Sequence, residues 1–290
     1  MQVRLHGRFL SCIDFTGPIR YYYSKISREV KAMADIRIAF FDIDGTLVDP
    51  ATGRISPRTT EALTALQQRG IKICVATGRP SVCFPDFGEV CFDVFCAFNG
   101  SLCYTGNEII HRVPISPEDV RRVLKNAAQI GRPVSVAVRD RLSANGWDRD
   151  LDGYYRLAGQ ELTVADDFEA VLEEDVYQIM LGCRLPDHPA IIRGTEGVHI
   201  TYSWDRAADV IPSGSGKARA IEKILEYFQL DASQALAFGD GHNDMEMLRT
   251  VGTGVAMGNA APALKEIADD VCGPVSEDGI YRYCIAHKLI

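Results

Sequence analysis

From Asp35 to the C-terminus, short apolar runs alternate with longer stretches whose apolar residues recur at helical spacing. Ile36 to Phe41, Ile71 to Ala76, Val94 to Phe98, Ala235 to Phe238 and Gly254 to Met257 carry few polar residues, as expected of strands covered on both faces. Between them, Ser56-Pro57 reads as a helix start and Gly70 as its stop, with Leu63 and Leu66 on one stripe. Ala218 to Phe228 and Asn243 to Arg249 read as further helices. Such alternation predicts an α/β fold built on a doubly wound parallel sheet, with a ligand crevice at the carboxyl ends of its strands.

The middle of the chain breaks the pattern. Ser116-Pro117 caps a helix running to Gln129, and Val134 to Val138, Val176 to Leu181 and Val198 to Tyr202 are short β-rich pieces. Residues 114–206 are therefore expected to form an inserted α+β module, with 33–113 and 207–290 forming the core. An insertion at one edge of a sheet is well placed to act as a lid.

Composition narrows the function classes. With 47% hydrophobic and 24% charged residues the chain can bury a core, which excludes a disordered or collagen-like polymer. No apolar run approaches the roughly 18 residues needed to span a bilayer. A formal charge of −8 argues against a nucleic-acid partner, whose footprint is a basic patch. The nine cysteines are scattered, with no CxxC and no zinc-type spacing, and read as unpaired thiols of a cytoplasmic protein. Residues 1–32 stand apart: six Lys/Arg face only Asp14 and Glu29, and Tyr21, Tyr22 and Tyr23 follow one another. They lack the apolar stretch of a secretory signal, and are expected to be a disordered tail or the result of a mis-set start before Met33.

Four motifs sit where chemistry is expected. Asp42-Ile43-Asp44-Gly45-Thr46 follows the first buried strand, placing two carboxylates on one side of an extended turn at the sheet's carboxyl edge. Such a pair suits a nucleophile beside a general acid/base, with a hard cation to offset their repulsion. Thr77-Gly78-Arg79 follows the second strand and reads equally as an anion cradle or as common turn chemistry. Ser213-Gly214-Ser215-Gly216-Lys217 opens a helix; Ile211 and Ala218 break the Walker A pattern, leaving a lysine aimed at a phosphate or a flexible helix start. Gly239-Asp240-Gly241-His242-Asn243-Asp244 has the oxygen ligands of a Mg²⁺ site, or alternatively caps the next helix, with His242 read as an exposed turn residue.

Taken in order, these motifs resemble those of the haloacid dehalogenase superfamily, in the Cof-type IIB subfamily. Asn99-Gly100, Gly254 to Ala260 and Glu277-Asp278-Gly279 match its secondary signatures, so the resemblance spans about Met33 to Ile290. It implies a Rossmann-like core with a type C2B cap and a Mg²⁺-dependent phosphatase acting on a small phosphorylated metabolite. Asp42 would be the nucleophile and Asp44 the acid/base. Thr77, the Ile43 and Gly78 amides, Lys217 and Asn243 would hold the phosphoryl group. Mg²⁺ would rest on Asp42, the Asp44 carbonyl and Asp240, with Asp244 supporting the metal site or Lys217. Cap residues should choose the substrate, with Arg139, Asp140, Arg141, Trp147, Tyr154, Tyr155 and Arg184 as candidates. The motifs alone do not exclude a phosphotransferase or phosphomutase, although the IIB-type cap disfavours the best-known mutases, and a non-catalytic phospholigand-binding protein is a further alternative.

Overall fold

Ile38–Phe41 forms strand β1, whose side chains are all buried, and a strand covered on both faces must lie inside a sheet. A computed structural model describes residues 35–290 except Asn107, Ala158 and Ser203; the expected tail, 1–32, lies outside them. After β1 come a small hairpin of β2 (Val48–Asp49) and β3 (Arg54–Ile55), helix α1 (Pro57–Gln68), β4 (Lys72–Ala76), β5 (Val94–Ala97), β6 (Leu102–Tyr104) and β7 (Ile109–Arg112). The middle segment supplies α2 (Pro117–Gln129), β8 (Val134–Ala137), β9 (Leu142–Ala144), α3 (Arg149–Leu157), α4 (Phe168–Val171), β10 (Gln178–Gly182), α5 (His188–Ile191), β11 (Val198–Thr201) and β12 (Ala207–Pro212). The chain closes with α6 (Lys217–Phe228), β13 (Ala235–Gly239), α7 (Met245–Thr250), β14 (Thr253–Ala256), α8 (Pro262–Ile267), β15 (Asp270–Val271) and α9 (Gly279–Ala286).

The large sheet has the order β15-β14-β13-β1-β4-β5-β6-β7. Its strands run parallel from β15 to β5, and an antiparallel β6–β7 pair extends one edge. Alternation along β1 feeds two layers. Ala39 and Phe41 pack with Leu63 and Leu66 of α1 and Ile280 and Tyr283 of α9. Ile38 and Phe40 pack with Ile221, Ile224 and Leu225 of α6 and Met247 and Leu248 of α7. Helices thus cover both faces of a mostly parallel sheet. The parallel register then positions chemistry: Phe41 lies between Val75 and Phe238, so the residues that follow these three reach one rim together.

The start of α1 shows how local sequence sets an element. Ser56 accepts the Thr59 amide at 3.0 Å, Pro57 opens the helix, and the Ser56 hydroxyl donates to Asp278 at 2.7 Å. Ser56→Ala is expected to cost ~1–2 kcal/mol of stability, read as a lower urea midpoint at unchanged slope.

The second sheet, β11-β12-β10-β8-β9, is antiparallel throughout. One face packs on Val120, Val123 and Ala127 of α2. The other meets α3, and through Tyr177 stacked on Phe98 at 5.2 Å it joins the large sheet. One expected boundary is corrected here. Residues 207–212 do not belong to the core sheet: β12 pairs with both β10 and β11, because its alternate residues Ala208 and Val210 complete the apolar layer over α2. No helix among the described residues is long and apolar enough to cross a membrane. None of the described cysteines is disulfide-bonded.

Candidate active site

Asp42 is the first residue beyond β1 and is buried. Lys217, the first residue of α6, reaches it from the far side of the rim: its ammonium donates to Asp42 Oδ1 and to Asp244 Oδ1, both at 2.6 Å. The second oxygen of Asp244 accepts the backbone N–H groups of Asp240 and Gly241 at 3.0 and 2.9 Å. Asp244 is therefore pinned on both oxygens, and it fixes Lys217 in turn. Asp240 is steadied by the Thr46 hydroxyl at 2.9 Å and by the Asn259 amide, which also holds the Gly45 carbonyl at 2.8 Å. Gly45 is required twice over. Its φ is +77°, and a Cβ there would fall 2.2 Å from Asp240 Oδ2.

Three buried or half-buried carboxylates thus face one ammonium. Burial pushes the Asp42 carboxyl up to about 7 against the pull of Lys217, with Asp244 and Asp240 adding to the rise. Burial likewise pushes Asp240 up to about 6. Burial disfavours the Lys217 charge, yet Asp244 and Asp42 together hold its ammonium above its usual range. Oxygens of Asp42, Asp240 and Asp244 lie within 4.8 Å of one another. Hard oxygen donors with surplus negative charge fit a hard divalent cation. Asp244 is fully buried, with an ammonium on one oxygen and two backbone N–H groups on the other, whereas Asp240 is partly exposed and meets only a neutral hydroxyl and amide, so Asp42 and Asp240 are the better placed of the three to carry it.

Asp44 points the other way, into solvent at the mouth of the site. Both its oxygens accept from Arg79, from Nε at 2.8 Å and Nη2 at 2.7 Å, while Arg79 Nη1 donates to the Cys83 carbonyl at 2.7 Å. Thr77 is buried beside Asp42 on the cleft wall, its hydroxyl accepting the Arg79 amide at 3.1 Å. Gly78 lines the same wall, whereas the Ile43 side chain is buried in the α1-side layer, leaving only its backbone for the rim. Asn243 is exposed and donates to Asn99 at 3.0 Å. Asn99 has a φ of +53° and is followed by Gly100, where a Cβ would meet the Gly216 carbonyl at 2.4 Å. That close approach sets the loop after β5 against the start of α6. His242 is exposed, as its place beside a turn glycine predicts.

Above the rim lies a cleft of about 650 Å³ between the two sheets. The rim contributes Asp42, Asp44, Thr77 and Arg79; the cap contributes Tyr154, Tyr155, Gln178, Trp204 and Asp209. Of the cap candidates read from sequence, Tyr154 and Tyr155 reach the cleft. Arg139 instead lies over the Tyr104 ring with Asp140 beside it, Arg141 pairs with Asp167 and Glu174, and Arg184 approaches Asp150. Trp147 is largely exposed. Sequence reasoning missed Arg79 as the partner of Asp44, Asn259 as the brace of Asp240, and Gln178, Trp204 and Asp209 in the cap. Of these, two carried a signal: Arg79 stands two residues after Thr77, and Asn259 lies within the Gly254 to Ala260 signature.

The chain resembles known proteins in sequence and in fold. The family model for haloacid dehalogenase-like hydrolases matches residues 39–284. The YkrA protein of Bacillus subtilis (strain 168) is 35% identical over 249 residues, covering 85% of this chain and 95% of that one. The 5-amino-6-(5-phospho-D-ribitylamino)uracil phosphatase YitU of the same organism is 31% identical over 257 residues, covering 83% and 94%. Among solved structures, the HAD subclass IIB sugar phosphatase BT4131 superposes with a TM-score of 0.78 at 30% identity, covering 88% of this chain and 100% of that one. With its motifs gathered at one sheet rim beneath an inserted cap, the chain belongs to the haloacid dehalogenase-like hydrolases, in the Cof-type branch.

Proposed function

We propose that the protein is a Mg²⁺-dependent phosphatase that hydrolyses small phosphate monoesters, such as sugar phosphates, through an aspartyl-phosphate on Asp42. The observation that carries this reading is the buried Asp42 carboxylate, 2.6 Å from the Lys217 ammonium, at the floor of a cleft whose mouth holds Asp44. A phosphate dianion is repelled by a carboxylate, so positive charge must be built in before the two can meet. Lys217 supplies part of it. Asp42, Asp240 and the Asp44 carbonyl, with Asp244 in support, would hold a Mg²⁺ ion that would supply the rest.

In the first step an Asp42 oxygen attacks phosphorus, the ester P–O bond breaks, and Asp44 gives its proton to the departing oxygen. Both Asp44 oxygens accept from Arg79, so at least one of those bonds must open for the proton to be delivered. In the second step water attacks the phosphorylated Asp42, Asp44 takes the water proton, and inorganic phosphate leaves with the carboxylate restored. Thr77, Asn243, Lys217 and the backbone N–H groups of Ile43 and Gly78 hold the phosphoryl oxygens. We assign residues 33–113 and 213–290 to the catalytic core and 114–212 to the cap. The unpaired, mostly buried thiols suit a reducing cytoplasm.

Phosphate release with Mg²⁺ or EDTA tests the reading, and EDTA is expected to abolish turnover. Asp44→Asn should lower turnover of alkyl phosphates by ~10²–10⁴-fold. In kcat/KM, which reads the first step alone, the loss should be much smaller for p-nitrophenyl phosphate, whose leaving group needs no proton. Equal loss of kcat/KM on both esters would remove Asp44 as the acid of the first step. Phosphate passed to a second sugar, with none released to water, would favour the transferase reading.

A further inference from the structure

The cap wall holds two buried acceptors that the chemistry above leaves unused. Asp209 lies on β12 and is 7% exposed; Gln178 lies on β10 and is 3% exposed. Strand alternation aims both at the cleft, because their neighbours Ile179, Leu181, Ala208 and Val210 fill the opposite, apolar layer. Asp209 is register partner to Met180 and to Thr201, so Gln178 stands diagonal to it on the same face, and all four line the cleft. Asp209 Oδ2 accepts the Tyr154 hydroxyl at 2.7 Å. Asp209 Oδ1 and Gln178 Oε1 have no hydrogen bond of their own.

A buried acceptor without a donor is costly, and structures rarely keep one without a use. Burial holds the Asp209 carboxyl up at about 6, opposed by the Tyr154 hydroxyl and by the nearby Gln178 amide, which does not reach hydrogen-bonding geometry with Oδ1. The surroundings limit what can bring the missing donors. Among the described residues, Arg79 is the only Arg or Lys lining the cleft, and it sits on the rim, engaged with Asp44. The described cap residues that line the cleft include no Arg or Lys to receive a second phosphate or a carboxylate. The rest of that wall includes Leu142, Met180 and the near-parallel rings of Tyr154 and Trp204, which suit the C–H faces of a compact organic group.

We propose that Asp209 and Gln178 are specificity residues that act as a charge filter, accepting hydrogen bonds from an uncharged, hydroxyl-bearing leaving group and rejecting esters that carry a second anion. This rests on the phosphatase reading and adds a constraint on its substrate. A hydroxyl supplies each missing donor without a charge for the apolar wall to desolvate. An anionic group would instead meet the Asp209 carboxylate in a site of low dielectric.

The test compares glucose 6-phosphate, glucosamine 6-phosphate, 3-phosphoglycerate and p-nitrophenyl phosphate on wild type, Asp209→Leu and Asp209→Asn. Wild type should prefer glucose 6-phosphate to 3-phosphoglycerate by at least ~10-fold in kcat/KM, as expected when a site's polar groups are matched or mismatched. In Asp209→Leu the ratio of kcat/KM for glucose 6-phosphate over p-nitrophenyl phosphate should fall at least ~10-fold, mostly through KM. Asp209→Asn, which keeps an acceptor, should fall between. Wild-type preference for the phosphoglycerate, a ~10-fold preference for the amino sugar, or an unchanged ratio in Asp209→Leu overturns the inference and leaves the phosphatase standing. Absence of Mg²⁺-dependent release from p-nitrophenyl phosphate by wild type overturns both.

Discussion

Asp42→Asn is expected to lower phosphate release at least ~10⁴-fold, the scale of losses when an enzyme's nucleophile is removed. The amide keeps the shape of the carboxyl but cannot form the acyl phosphate. Stability should not fall with activity. Burial holds the Asp42 carboxyl near 7, well above an unfolded carboxyl, so its ionisation opposes folding increasingly as pH rises from about 4 through 7. Asn removes that burden, and Lys217 keeps Asp244 as its partner at 2.6 Å. Urea unfolding in EDTA should therefore show the variant as stable as wild type at pH 5 and more stable at pH 8. Phosphate release that survives in this variant would falsify the assignment of Asp42 as nucleophile.

Lys217→Met has the opposite signature, losing both turnover and stability. The ammonium is almost fully buried, and the change leaves Asp42 and Asp244 facing each other with no cation. Breaking a buried pair in this way typically costs ~3–5 kcal/mol. The loss should be greater at pH 8 than at pH 5, because a carboxyl whose folded-state pKa is raised further binds a proton at low pH and relieves the repulsion. Combining Lys217→Met with Asp42→Asn should recover part of the loss, since the two residues touch and their effects are not additive. A stability change below ~1 kcal/mol in EDTA at pH 8 would mean that the pair is not the electrostatic unit described here.

Strand and helix runs were legible because their signals are local. The apolar stretches at Ile38–Phe41 and Lys72–Ala76 and the Ser-Pro helix starts at Ser56 and Ser116 need no distant partner to be read. The aspartates and Lys217 were legible through their order along the chain. What the chain order hides is who meets whom. Arg79 finds Asp44 across a separation of 35 residues, and Thr46 finds Asp240 across 194. Asp209 is the clearest case. In sequence it sits in AADVIP, on the core side of the boundary expected at residue 207. Only pairing with β10 and β11 turns its carboxylate towards the cleft.

The two passages between the sheets, after β7 and after β12, lie against each other: a Cβ on Gly214 would rest 3.5 Å from Val113 Cγ1. The cap is thus, in topological terms, a single long excursion that leaves and re-enters the core at one doorway. Val113 could be spliced to Gly214 without redrawing any strand of the large sheet. A chain organised this way can inherit its two halves on different terms. Substitutions beyond the doorway can reshape the wall that meets the leaving group, while the catalytic rim, which never passes through it, keeps its geometry.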